Sequence, residues 1–133
     1  MQLNHLDLFV PDVQRASTFF ETFFGFRCEA MKGKEALAVL KGEGNFTLVL
    51  SRFREGSPTQ YPTDFHIGFL LETEDAVREA YERFRREGVE IVYPLNERRG
   101  SLMFYCHAPG QLLIEVSARR SAPALNASPS PAR

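Results

Sequence analysis

A chain of 133 residues, 44% hydrophobic and 25% charged, is long enough for one globular domain with a buried core. Its net charge of -1 and isoelectric point near 6.3 supply no basic stripe for nucleic acid, so a small molecule or a protein is the expected partner. The opening Met1-Gln2-Leu3-Asn4-His5 has neither the charged nor the apolar stretch of a signal peptide, and no apolar run approaches the ~20 residues of a membrane helix. A cytoplasmic protein is therefore expected.

Leu3 to Val10 is rich in β-formers, and Pro11-Asp12 then opens a segment whose apolar residues Val13, Ala16, Phe19, Phe20, Phe23 and Phe24 fall at helical spacing. Gly25 closes this helix. Three strands are predicted after it: Phe26 to Met31, Ala36 to Lys41 and Phe46 to Phe53, the last two joined by the turn Gly42-Glu43-Gly44-Asn45. The polar stretch 54–63, with Pro58 and Pro62, reads as a linker. The same order then returns, with a strand from Phe65 to Leu71, a helix from about Glu74 to Glu87 closed by Gly88, and strands Glu90 to Tyr93, Leu102 to Cys106 and Leu112 to Ser117. Ala108-Pro109-Gly110-Gln111 is the turn between the last two. The expectation is an α+β chain of two βαβββ modules, about 1–53 and 64–118 of one domain spanning 1–118. The Ala, Pro and Ser-rich segment 119–133 is expected to be a disordered tail. Cys28 and Cys106 lack CxxC spacing and are expected to pack rather than cross-link.

Duplication sharpens the search for chemistry. The chain has three histidines, and two of them, His5 and His66, lead equivalent strands. Aligning Asn45 to Ser51 on Gln111 to Ser117 places Val49 opposite Glu115. Alternation puts His5 with Leu3, Asp7 and Phe9, His66 with Gly68 and Leu70, and Glu115 with Leu113 and Ser117, whereas Leu6-Leu8-Val10 and Leu112-Ile114-Val116 form the helix-packing faces. His5, His66 and Glu115 are thus the candidate metal ligands, because imidazole and carboxylate suit borderline divalent ions. A strand histidine standing alone is more often a hydrogen-bonded structural residue; the matched register of three ligand-type residues favours metal.

The duplicated βαβββ pattern, the paired histidines and Phe104-Tyr105…Ala108-Pro109-Gly110…Ile114-Glu115-Val116 together resemble the vicinal oxygen chelate superfamily over about residues 1–118. That superfamily includes glyoxalase I, bleomycin-resistance proteins, fosfomycin-resistance thiol transferases and extradiol dioxygenases. The resemblance implies a cupped, open-barrel sheet, a homodimer, and a divalent metal (manganese, iron, nickel, cobalt or zinc) held by His5, His66 and Glu115, with Tyr105 as an active-site tyrosine. It also implies a small-molecule substrate bound through adjacent oxygens.

Departures from the family narrow the chemistry. A four-ligand glyoxalase I is disfavoured because Val49 stands where its extra carboxylate is expected, which leaves a dioxygenase, lyase or thiol transferase. His107 is the remaining histidine for acid-base work, or a solvent-facing residue at a strand end. Asp7 replaces the threonine of the fosfomycin enzymes and either orients a ligand or is solvated. Arg98-Arg99 is either an anion contact at the cup mouth or an exposed charge pair, and the Phe19-Phe20…Phe23-Phe24 cluster reads as core or dimer packing. The alternative to an enzyme is a metal-free protein that sequesters a drug or other small molecule.

Overall fold

Both halves adopt the expected order in the computed structural model, which describes residues 1–55 and 60–119. The first module is β1 (His5–Val10), α1 (Val13–Phe24), β2 (Arg27–Lys32), β3 (Leu37–Lys41) and β4 (Thr47–Arg52); the second is β5 (His66–Leu70), α2 (Glu74–Arg86), β6 (Ile91–Arg98), β7 (Ser101–Ala108) and β8 (Leu112–Arg119). β8 thus reaches Arg119, one residue into the segment expected as a tail; the rest of that segment and 56–59 of the linker lie outside the described residues.

Local chemistry explains the helix bounds. The Asp12 carboxylate accepts from the Arg15 N–H, and Gly25 takes the left-handed conformation that ends α1. Thr73 caps α2 in the same way at Ala76, with Glu74 and Asp75 in the first turn and Arg83, Arg85 and Arg86 in the last, charges that complement the helix dipole.

The strands form two four-stranded sheets of equivalent order, β1-β4-β3-β2 and β5-β8-β7-β6, in which β1 runs parallel to β4 and β5 to β8 while the other pairs are antiparallel. Neither sheet closes on itself. One face of each carries Leu8, Val10, Ala38, Leu40, Leu48 and Leu50, or Phe104, Cys106, Leu112, Ile114 and Val116, all nearly inaccessible. Leu8, Val10, Leu112, Ile114 and Val116 among them are alternate residues predicted to pack on helices; Leu6, predicted with them, is half-buried. The phenylalanine cluster is core: Phe24 meets Phe69 at 4.4 Å between ring centroids, and Phe23 meets Phe84 at 5.0 Å, joining α1 to α2 and β5. The two modules therefore share one hydrophobic core. Cys106 is buried within it as a free thiol, and Cys28 is half-buried.

β6 departs from expectation. The sequence reading ended it at Tyr93 before Pro94, yet it continues to Arg98. Its position at the sheet edge explains this, since an edge strand leaves one row of N–H groups unpaired and so tolerates proline. The register shifts between Tyr93 and Asn96: Tyr93 pairs with Tyr105 and Asn96 with Met103, so Pro94 and Leu95 together face the single residue Phe104. This is a β-bulge.

Candidate active site

A single row of opposed residues crosses the second sheet at the candidate site. Gly68 on β5 pairs with Glu115 on β8, Glu115 with Tyr105 on β7, and Tyr105 with Tyr93 on β6. The equivalent row of the first sheet is Asp7, Val49, Val39 and Ala30. The duplication is therefore chemical in backbone only, and Val49 does occupy the place of Glu115.

Within the row, Tyr105 Oη donates to Glu115 Oε1 at 2.5 Å. The other carboxylate oxygen lies over Gly68, where an added Cβ would come within 3.4 Å of Oε2. A methyl group at this position would make an ordinary van der Waals contact with the carboxylate. Burial, followed by the bond to Glu115 and its negative charge, pushes the Tyr105 phenol up from 10.0 to about 12, while the charges of Arg98 and Arg99 pull it slightly back. At neutral pH the phenol holds its proton and can donate it.

The two histidines are prepared alike. Nδ1 of His66 lies 2.9 Å from the Asp64 carbonyl oxygen, and Nδ1 of His5 lies 2.7 Å from Asn4 Oδ1. With Nδ1 donating to such an oxygen, a neutral imidazole presents the lone pair of Nε2, the tautomer that a ligand requires. Both rings are exposed. His66 stands edge-on to Tyr105, with centroids 5.7 Å apart. Two imidazole nitrogens and a carboxylate fit a divalent metal.

These ligand candidates are divided between the sheets. His66, Tyr105 and Glu115 belong to the second, and His5 lies on the first beside Thr47. Among the described residues no three His, Cys, Asp or Glu side chains gather into a metal-holding group. Asp7 is engaged by Ser51, whose hydroxyl donates to it at 2.7 Å. His107 is not brought to Tyr105's cleft. It lines a different one, formed with α1 and the segment 87–90, where Nδ1 is 3.1 Å from Glu90 Oε2 without hydrogen-bond geometry.

The cleft at His66 and Tyr105 has a volume of about 320 Å³ and is walled also by Tyr93, Asn96, Arg98 and Asp64. Tyr93 and Asn96 were missed as site residues. Tyr93 shares the aromatic character of Tyr105, a signal in hindsight, but Asn96 reaches this face only through the bulge.

Residues 2–116 match the family model of the Glyoxalase/Bleomycin resistance protein/Dioxygenase superfamily. A solved structure described as a possible glyoxalase from Bacillus cereus is 36% identical, with 87% of this chain and 97% of that one covered and a TM-score of 0.75. A glyoxalase/bleomycin resistance protein/dioxygenase from Nocardioides is 20% identical over 92% of this chain and 86% of that one, with a TM-score of 0.73. Lactoylglutathione lyase from Agrobacterium tumefaciens is 19% identical, covers 88% and 92% respectively, and has a TM-score of 0.70; at such identity the last two speak to fold alone. Among curated proteins, none matches the chain.

Proposed function

Because the chain belongs to the glyoxalase/bleomycin resistance protein/dioxygenase superfamily, we propose that it is a metal-dependent enzyme of the dioxygenase, lyase or thiol-transferase kind. His5, His66 and Glu115 hold a divalent metal at which a small substrate binds through adjacent oxygens. The observation that carries this reading is the shared preparation of the histidines, each with Nδ1 committed to an oxygen and Nε2 open. A structural strand histidine has no need of that arrangement twice at equivalent positions.

A second copy of the chain supplies His5. The division of the ligand candidates between two sheets supports this, as do the edge positions of β1 and β5. So do Leu3 and Leu70, 75% and 62% exposed, which share the alternation phase of His5 and His66. When bound, a metal of this class acts as a Lewis acid toward substrate oxygens. The chain's own residues do the rest: Glu115 is oriented by Tyr105, the wall of Tyr93, Tyr105 and His66 stacks on and positions the substrate, and the Tyr105 hydroxyl turns its one hydrogen from Glu115 to a substrate oxygen as that oxygen gains negative charge. Val49 in the register place of Glu115 argues against a four-ligand glyoxalase.

A second reading, sequestration without chemistry, has one observation in its favour: an apolar cleft of about 600 Å³ between the modules, walled by Phe24, Phe46, Phe69 and Leu6.

Metal analysis after reconstitution separates the two. Wild type is expected to bind one metal per chain, and His5→Ala and Glu115→Ala none. Mixing the two variants rebuilds one intact site in each heterodimer and restores about a quarter of the wild-type content if the chains exchange at random. Wild-type protein without specific metal sinks the proposal in favour of sequestration; failure of the mixture alone sinks the shared site.

A further inference from the structure

The bulge in β6 has a consequence for what the cleft accepts. Tyr93 and Arg98 are an odd number of residues apart, so in a regular strand they would face opposite sides. With Pro94 and Leu95 both opposite Phe104, the phase shifts, and Asn96 pairs with Met103 while Arg98 pairs with Ser101. Asn96 and Arg98 thereby join Tyr93, Tyr105 and His66 in the walls of one cleft. Leu95 takes the opposite side and packs against the core.

Arg98 is also available there. Among the described residues no carboxylate forms an ion pair with it. Asp64, the acidic residue of the same cleft, precedes β5 at the far edge of the sheet from β6. Asn96 donates through Nδ2 to the Pro94 carbonyl at 2.8 Å, which holds its amide in place beside the bulge. Arg99 follows in a left-handed turn with Gly100, and its positive charge also acts on Tyr105.

We infer that Arg98, aimed into the cleft by the Pro94-Leu95 bulge, forms an anion subsite, and that the substrate carries an oxyanion, a carboxylate or a phosphate-type group, beside the oxygens that meet the reactive centre. A guanidinium presents a planar fork of donors that matches two oxygens of such a group. The anion then lies toward β6, which directs the other end of the molecule across Tyr105 to His66 and Glu115. This subsite rests on reading the cleft as the active site, yet it requires no metal and can be tested without one.

The test is an NMR titration of the metal-free full chain at pH 8 with inorganic phosphate and, separately, propionate. Saturable shifts at the Arg98 side chain and at the amides around Tyr93 and Tyr105 are expected. Arg98→Gln should weaken binding about tenfold or more, with Arg98→Lys between the two. Phosphate bound more tightly than propionate assigns a tetrahedral oxyanion, and the reverse order a carboxylate. Arg27→Gln, which removes a positive charge from the edge strand of the other sheet, should leave either affinity within about twofold, because Arg27 lies outside the cleft. Absence of saturable binding, unchanged binding in Arg98→Gln, or loss in Arg27→Gln overturns the subsite. Failure of metal stoichiometry with Arg98-dependent binding intact overturns only the metal reading.

Discussion

The Tyr105 hydroxyl and Glu115 Oε1, 2.5 Å apart on opposed positions of β7 and β8, form a hydrogen bond between two side chains of the candidate site. The bond sets the carboxylate's orientation, with Oε2 turned over Gly68. It also requires a neutral phenol, so orientation of Glu115 and proton supply depend on the same hydrogen.

This coupling predicts an abnormal titration. In metal-free protein, Tyr105 should ionise near pH 12, against 10.0 for an unperturbed phenol. The raised value means that its contribution to stability is present in full below pH 10.0 and is lost as the pH rises through about 12. Ultraviolet titration of wild type and Tyr105→Phe should assign the late transition, and Glu115→Gln should move it toward lower pH. A late transition that persists in Tyr105→Phe contradicts the assignment.

Gly68→Ala tests the space beside the carboxylate. The new methyl would lie 3.4 Å from Oε2 and 3.9 Å from the Cβ of Glu115, contacts that the fold accommodates. Stability should change by less than about 1 kcal/mol, and metal affinity should stay within about threefold, because an ordinary van der Waals contact leaves the carboxylate in place. Chemical denaturation and metal titration read the two effects separately; a tenfold loss of affinity at unchanged stability would show that the metal needs the space over Gly68.

Phe84 holds the modules together, with ring contacts to Phe23 and Phe24 of α1 and to Phe104 of β7. Phe84→Ala should cost about 3–5 kcal/mol in urea unfolding. A loss below about 1 kcal/mol would mean that the shared core contributes little.

Gly110 sits at φ 83° in the turn between β7 and β8, and a Cβ there would approach Pro11 Cδ to 2.6 Å. The proline ring cannot swing aside. Gly110→Ala should therefore destabilise by about 2 kcal/mol or more, measured by thermal or urea unfolding, whereas Gly44→Ala meets no neighbouring atom and carries only its φ cost.

Much of this architecture was legible because its signals are local. The repeat of strand, helix and three strands follows from alternation, helical spacing and the glycines that stop each helix, and these survive without knowledge of distant contacts. Aligning one half on the other also placed Val49 at the position equivalent to Glu115, and the two do hold equivalent register places, Val49 beside Asp7 and Glu115 beside Gly68. The candidate ligands His5, His66 and Glu115 came from the same comparison.

What the chain alone determined, then, is two modules, their buried faces and the presence of ligand-type residues at matched places, since each depends on periodicity within a few residues. Tertiary structure decided the rest. The Tyr105–Glu115 bond depends on strand pairing, and the move of His107 to another cleft depends on packing against the segment 87–90. The entry of Asn96 and Arg98 into the site depends on two residues opposing one at a sheet edge. The division of His5 from His66 and Glu115 is likewise a property of two separate sheets. In each case the deciding quantity is a distance between segments, and local patterning of hydrophobic and polar residues leaves that distance open.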